Sequence, residues 1–171
     1  MNFIIQQHIF SSVKKYDIYD EQGNTCYTTE GRAKGQVVVA GEQIHIFDLS
    51  GKEVAFVHQR ILALIGKYDL IIGGELKGTI VGKLSFFRPR YKVDFMGYRI
   101  VGDILGFNFQ IYQNDRYVAT MVPKMISVGT AYSLSVPNQA DELAALTLSI
   151  AIAGMGASGT VAWDFILPSS N

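Results

Sequence analysis

The stretch from Asn138 to Gly156, NQADELAALTLSIAIAGMG, constrains the fold more than any other part of the chain. It has the composition of a helix, and apolar residues occupy almost every face of it. A helix at a protein surface carries one apolar stripe, whereas a helix that is apolar on all sides must be enclosed. A membrane span needs about 20 apolar residues, but the uncharged run 143–157 is shorter and rich in small side chains. The segment is therefore predicted to be a helix buried within protein.

The ends of this helix carry recognisable signals. Asn138 is a residue type that caps helices, and Asp141 follows it in the first turn, where an acid complements the positive end of the helix dipole. Gly154 and Gly156 are expected to end the helix, because glycine is the usual residue just beyond a helix C-terminus. The predicted helix spans about residues 139–154.

The glycines at residues 154–159 also match the pattern G-x-G-x-x-G. In a dinucleotide site that pattern follows a strand and opens a helix, so that the phosphates meet the helix amides. Here the pattern follows the helix, and we interpret it as a helix end and exit. Residues 157–171 are then expected to form an extra strand or a tail.

The first 137 residues are read as short β-strands. Turn residues recur about every 8 to 12 positions, and the runs between them alternate apolar and polar side chains, which is typical of strands with one wet face. Phe109 and Ile111, for example, alternate with Asn108 and Gln110. A meander of many hairpins exposes long edges unless the sheet closes. We therefore predict a mainly β protein, a closed, mostly antiparallel barrel whose lumen is filled by the apolar helix.

Length and charge limit the possible functions. At 171 residues the chain is expected to be a single domain, 1–171. Its 15 basic and 15 acidic residues cancel, so binding to an anionic membrane needs a local basic patch, and nucleic acid is not predicted as a partner. The single cysteine, Cys26, cannot form an internal disulfide, and the N-terminus lacks a signal-peptide pattern. We therefore predict a cytoplasmic protein.

Six segments carry a family resemblance through their order and spacing. They are YDIYDEQGN (16–24), FDLSGKE (47–53), LSFFRPRY (84–91), YRIVGD (98–103), YVAT (117–120) and YSLSV (132–136). Over residues 3–155 the chain resembles the LURP-one-related family of the tubby C-terminal-like superfamily, which is related to the phospholipid scramblases. The resemblance implies a barrel of about twelve strands around a central hydrophobic helix. Members of the family tend to finish soon after that helix, whereas this chain continues.

A basic strand is the candidate binding site. Arg88, Arg90 and Lys92 recur at every second position and so share one strand face, and Lys83 lies close to them in sequence. Such a face can hold a phosphate-bearing headgroup, with arginine binding it through two parallel hydrogen bonds. The alternative is that these cations only solvate the outside of a barrel strand.

Catalytic and metal-binding motifs do not appear in the sequence. His8, His45 and His58 are scattered without the spacing of metal ligands, and no cysteine cluster accompanies them. There is no nucleophile elbow and no P-loop. We therefore predict no catalytic residue, no metal and no cofactor, and we interpret Cys26 as a small apolar residue in the barrel wall.

The family resemblance implies little about activity. Tubby-type domains bind phosphoinositides through basic residues on the barrel wall, and scramblases have a calcium-dependent lipid activity, but the plain LURP-one-related members have no established common activity. We predict a non-enzymatic cytosolic module that binds anionic lipid headgroups or a membrane surface and is peripheral to the membrane. A structural, regulatory or protein-interaction module is the alternative. A small-ligand carrier or barrel enzyme is a third, and the oligomeric state stays open.

Overall fold

The structure, a computed structural model, describes residues 1–8, 15–33, 42–62, 65–83, 90–127 and 129–162. Within these ranges it does not describe the side chains of residues 32, 33, 42, 61, 62, 65, 66, 83, 90 and 156–162. In the described residues, twelve strands precede one α-helix. The strands are β1 (Asn2–Gln7), β2 (Tyr16–Tyr19), β3 (Thr25–Ala33), β4 (Glu42–Phe47), β5 (Glu53–Leu62), β6 (Ile65–Ile72), β7 (Glu75–Lys83), β8 (Arg90–Phe95), β9 (Tyr98–Asp103), β10 (Asn108–Gln113), β11 (Arg116–Lys124) and β12 (Thr130–Ser135).

All twelve strands belong to one antiparallel sheet. Its order is β8-β7-β6-β5-β4-β3-β2-β1-β12-β11-β10-β9, so β1 pairs with both β2 and β12. The two outermost strands, β8 and β9, are consecutive in sequence and are joined by Met96 and Gly97, which both have positive φ. This tight turn brings the two sheet edges together at one corner, although no described ladder joins β8 to β9. The predicted barrel of about twelve strands is confirmed, and it is nearly closed.

Side-chain alternation follows the sequence pattern. Phe109 and Ile111 on β10 are buried, whereas Asn108 and Gln110 between them are exposed. The inward residues of the other strands join the same core, so the barrel has an apolar interior and a solvated outer face.

The apolar helix occupies this interior. The side chain of Asn138 accepts a hydrogen bond from the Ala140 amide and caps a 3-10 turn at Gln139–Asp141, which leads into α1 (Glu142–Ala162). Every residue from Ala144 to Met155 is buried, which covers more than three turns and therefore all faces of the helix. α1 contacts β5 and β6 on one side and β11 on the other. The predicted central helix is confirmed.

The predicted end of the helix is wrong. α1 continues through Gly154 and Gly156 to Ala162, because glycine inside a helix costs only about 1 kcal/mol and burial can offset that cost. A side chain at position 154 would crowd the wall, since an added Cβ would lie 3.3 Å from Ile44 Cδ1. Residues 157–162, predicted to follow the helix, are thus helical, while 163–171 lie outside the described residues.

One end of the barrel, called the hairpin end below, carries tight turns and the start of α1. The antiparallel registers place the turns of four hairpins there, at residues 20–24, 48–51, 73–74 and 114–115, together with the β8–β9 turn at 96–97. Gly73 with Gly74, and Asn114 with Asp115, have positive φ at both central positions. That is the type I′ geometry that suits the twist of paired strands.

Candidate functional site

The predicted basic strand lies on the outer face of the sheet. Lys92 on β8 is exposed, while its neighbours Tyr91 and Val93 pack partly against the core. The β7–β8 ladder pairs Lys83 with Arg90 and Val81 with Lys92. Alternate strand residues share a face, so positions 83, 90 and 92 belong to one outer surface. Arg88, the fourth predicted residue, lies outside the described residues.

The structure adds two cations that sequence spacing did not bring together. Arg60 on β5 pairs with Lys67 on β6, Lys67 pairs with Val81 on β7, and Val81 pairs with Lys92 on β8. The three cations therefore lie in one row across four strands, which at about 4.8 Å per strand spans roughly 14 Å. The hairpin register could have revealed this, because Leu62 pairs with Ile65 and counting outwards brings Lys67 opposite Arg60.

We call this surface the basic wall and define it by five positions on β5–β8: Arg60, Lys67, Lys83, Arg90 and Lys92. Two carboxylates, Asp69 and Asp94, share the face, in a neighbouring row. Among the described side chains, the three cations Arg60, Lys67 and Lys92 outnumber these two acids, and Lys83 and Arg90 occupy strand positions on the same face of a chain whose total charge is zero. These strand positions therefore provide the local basic patch that a protein of zero net charge needs to bind an anion.

Gly78 lets β8 approach β7 closely. A Cβ added to Gly78 would lie 2.2 Å from the Asp94 carbonyl oxygen and 2.5 Å from Phe95 Cα. Both of these are backbone atoms, so a side chain here would push β8 away. The position of Lys92 on the basic wall thus depends on a glycine in the neighbouring strand.

Asp69 is buried although it lies on the outer face of β6. Its exposed fraction is 2%, and its carboxylate forms an ion pair with Arg60 Nε. Lys67 Nζ lies 4.0 Å from Asp69 Oδ1. A buried carboxylate is costly unless it is paired. The pairing offsets that cost, and it holds the side chains of Arg60 and Lys67 against the barrel wall.

Aromatic rings stack beside this row. His45 on β4 stacks on Phe56 of β5 at a centroid distance of 4.4 Å, and Phe56 stacks on His58 at 5.7 Å. His45 Nδ1 lies 2.6 Å from Glu53 Oε2. The structure thus brings together two of the three histidines that are separate in sequence. In the part of the chain that it describes, however, no three His, Cys, Asp or Glu side chains are grouped so as to hold a metal ion.

A second ion pair ties the helix start to the wall at the hairpin end. Arg116 on β11 donates from Nη1 to Asp141 Oδ2 at 2.6 Å and from Nη2 to Asp141 Oδ1 at 2.9 Å. These hydrogen bonds hold the pKa of the Asp141 carboxyl below its ordinary value, against the opposing effect of burial. Sequence reasoning gave Asp141 only a role near the helix dipole, because the partner lies 25 residues away on another strand.

Charge is unevenly distributed along the barrel axis. In the described part of the chain, acidic residues outnumber basic ones in and beside the turns of the hairpin end. The acids include Asp20, Glu21, Asp48, Glu53, Glu75, Asp115, Asp141 and Glu142, and the bases include Lys52, Lys77, Arg99 and Arg116. The hairpin end is therefore net acidic, while the basic wall lies towards the other end of its strands.

Cys26 lies on β3, is partly buried and packs against the core. Burial raises the pKa of its thiol, and the nearby Asp20 and Glu142 carboxylates add to the effect. A raised pKa lowers the thiolate fraction and with it the reactivity of the thiol.

The opposite wall of the barrel differs in composition. The outward positions of β10–β12 are uncharged except for Lys124 at the end of β11: Asn108, Gln110, Tyr112, Tyr117, Thr120, Val122, Ser133 and Ser135. We call this surface the neutral wall. Arg99 borders it on β9, with its guanidinium 4.6 Å from the centre of the Tyr112 ring.

Comparison with known proteins places the whole barrel in one family. Residues 1–153, which include all twelve strands and most of α1, match the LURP-one-related family. The chain belongs to the LURP-one-related family. The resemblance seen in the sequence is thus confirmed.

Two relatives of this LURP-one-related protein bear on its fold. The chain is 24% identical over 152 residues to the uncharacterized protein YxjI of Bacillus subtilis (strain 168), covering 89% of this chain and 91% of YxjI. An X-ray structure of a protein from Arabidopsis thaliana matches 88% of this chain and 89% of its own with a TM-score of 0.55. That protein is 16% identical in sequence, so it supports the fold alone.

Within the described ranges, no helix is long and apolar enough to span a membrane.

Proposed function

We propose that this LURP-one-related protein is a non-enzymatic cytosolic module that binds anionic lipid headgroups through its basic wall and is peripheral to the membrane. The observation that carries the proposal is the row of Arg60, Lys67 and Lys92 on four adjacent strands. Guanidinium and ammonium groups on a rigid sheet are pre-positioned for phosphate oxygens. Cations near an anionic leaflet each contribute to binding.

The outer wall is the favoured location because α1 occupies the interior. The helix residues from Ala144 to Met155 are buried against the inward faces of the strands. A lipid headgroup therefore meets the barrel from outside. The acidic hairpin end would be repelled by an anionic surface, which favours an orientation in which the basic wall faces the membrane.

Co-sedimentation with vesicles tests the proposal. Vesicles of phosphatidylcholine with and without phosphatidylserine are mixed with wild-type protein and with the variant Lys67→Gln/Lys92→Gln at low salt. We expect the wild type to bind only the anionic vesicles. A cation near the surface contributes about fivefold in affinity, so the double variant should bind roughly 25-fold more weakly.

The matched control is Lys52→Gln/Lys124→Gln, which removes the same charge from the hairpin end and from β11. This control should retain most of the binding. The proposal fails if the wild type does not bind anionic vesicles at low salt, or if the control loses as much affinity as the basic-wall variant. Adding salt should weaken the wild-type interaction, because exposed charges are screened.

The neutral wall supports protein binding as a second candidate function. Tyr117 and Val122 on this wall are 39% and 37% exposed, and the cores of protein interfaces are depleted in charge and enriched in tyrosine. A second copy of the chain is the first partner to test, since a symmetric contact buries the same patch twice. Sedimentation equilibrium should then detect a dimer that Val122→Lys dissociates. A wild type that stays monomeric excludes this partner.

A further inference from the structure

Asp69 stands out among the acids of the basic wall. Asp69 on β6 and Asp94 on β8 lie in one row, separated by Thr79 of β7. Asp94 is exposed, whereas Asp69 is 2% exposed and ion-paired with Arg60. The two carboxylates therefore offer a comparison between a buried and a solvated acid on the same face.

The ion pair joins the Asp69 carboxylate to the Nε atom of the Arg60 guanidinium group. Within the described residues the structure shows no hydrogen bond from Nη1 or Nη2. Half of the Arg60 side chain is exposed. A guanidinium group is a rigid planar fork, so fixing Nε from below directs the remaining donors to solvent, where they can form two parallel hydrogen bonds to a phosphate.

Lys67 is held by the same carboxylate in a looser way. Its Nζ lies 4.0 Å from Asp69 Oδ1, beyond hydrogen-bond distance, and this oxygen has no hydrogen-bond partner among the described atoms. The ammonium group is therefore attracted to the wall while its donors remain available. One buried carboxylate thus restrains two neighbouring cations of the row.

We propose that Asp69 is a positioning residue that orients Arg60 and Lys67 towards a phosphate group. This inference rests on the proposed function and specifies how the same surface achieves it. It predicts that the change in anion affinity has the opposite sign to the change expected from charge alone. Removing a negative charge from a basic surface should strengthen anion binding by simple electrostatics, but removing Asp69 should weaken it because Arg60 loses its orientation.

The experiment compares Asp69→Asn with Asp94→Asn in the vesicle assay. Both variants remove one negative charge from the same row of the basic wall. We expect Asp69→Asn to bind phosphatidylserine vesicles about fivefold more weakly than the wild type, which is the contribution of one cation near the surface. Asp94→Asn should bind as well as the wild type or better.

A double-mutant cycle with Arg60→Gln tests whether the effect passes through Arg60. Without the guanidinium there is nothing to orient, so adding Asp69→Asn to Arg60→Gln should no longer weaken binding. If Asp69→Asn strengthens binding as Asp94→Asn does, or weakens it equally in the Arg60→Gln background, the positioning role is overturned while the proposed function stands. If the wild type does not bind anionic vesicles, both are overturned.

If the Asp69→Asn variant fails to fold, a measurement on the wild type tests the positioning role of Asp69. The Arg60 Nε–H resonance is followed by NMR during titration with phosphatidylserine vesicles or with inorganic pyrophosphate. We expect Nε–H to stay protected from exchange with water while the Nη signals shift. Loss of that protection on binding would refute the role of Asp69. A shift with pyrophosphate alone would identify free phosphate, and not lipid, as the ligand that the positioned pair recognises.

Discussion

The enclosure of α1 on all sides makes a direct prediction for stability. Leu146 and Leu148 lie two residues apart, about 200° around the helix, so they point to nearly opposite faces. Both side chains are fully buried, with 0% exposed. In a surface helix one of two such positions would face solvent, whereas in a barrel plug both must contact the wall.

The expected cost follows from the atoms removed. Leu→Ala deletes three carbon positions, worth about 0.8 kcal/mol each in transfer free energy, or about 2.4 kcal/mol. The cavity that remains raises the total to about 2–5 kcal/mol, depending on how far the barrel collapses. We therefore expect Leu146→Ala and Leu148→Ala each to lower the free energy of unfolding by that amount.

Urea denaturation followed by circular dichroism measures this change. Leu49 provides the matched control, because it lies in a turn of the hairpin end and is 73% exposed. Leu49→Ala should change stability by no more than about 0.5 kcal/mol. If either helix variant costs as little as Leu49→Ala, that face of α1 is not enclosed and the reasoning fails.

Two further predictions concern the ion pair at the helix start and the glycine beneath the basic wall. Asp141→Asn should lower the free energy of unfolding by about 1–2 kcal/mol at neutral pH, since the buried carboxylate loses charge-assisted bonds to a half-exposed arginine. The folded pKa of Asp141 is lowered, so its contribution is full above the unfolded pKa, near 3.9, and disappears as pH falls through the folded pKa. Urea titrations from pH 7 to about pH 3 should show the free energies of unfolding of the wild type and of Asp141→Asn converge. A difference in free energy that is independent of pH would contradict this. Gly78→Ala should cost about 1–3 kcal/mol by forcing β8 from β7, whereas Thr79→Ala, the control, should cost less. Equal melting temperatures for Gly78→Ala and the wild type would exclude the clash.

Much of the fold was predictable because it depends on local pattern. The alternation along 107–112 identifies an inward and an outward face whatever strand lies beside it, and burial of Phe109 and Ile111 confirms it. The capping role of Asn138 is equally local, since its side chain bonds an amide two residues away. The helix end was not predictable from its glycines, because a glycine inside a helix costs only about 1 kcal/mol and does not by itself end the helix.

The candidate site was only partly accessible from the sequence. The cations at 83, 90 and 92 were found because they recur within two consecutive strands. Arg60 and Lys67 were missed, since joining them to Lys92 requires the registers of three hairpins at once. An error of one residue in any register would move a side chain to the other face of the sheet.

The amino-acid sequence by itself determined that this LURP-one-related chain forms short strands and one helix that must be buried. Those properties come from side-chain chemistry and its period along the chain. Only the tertiary structure decided that Arg116 would meet Asp141, that Asp69 would be buried beneath Arg60, and that three cations would form one row. These contacts depend on strand register and on which side chains exclude water from their neighbours. Both are properties of the packed barrel and of no single segment.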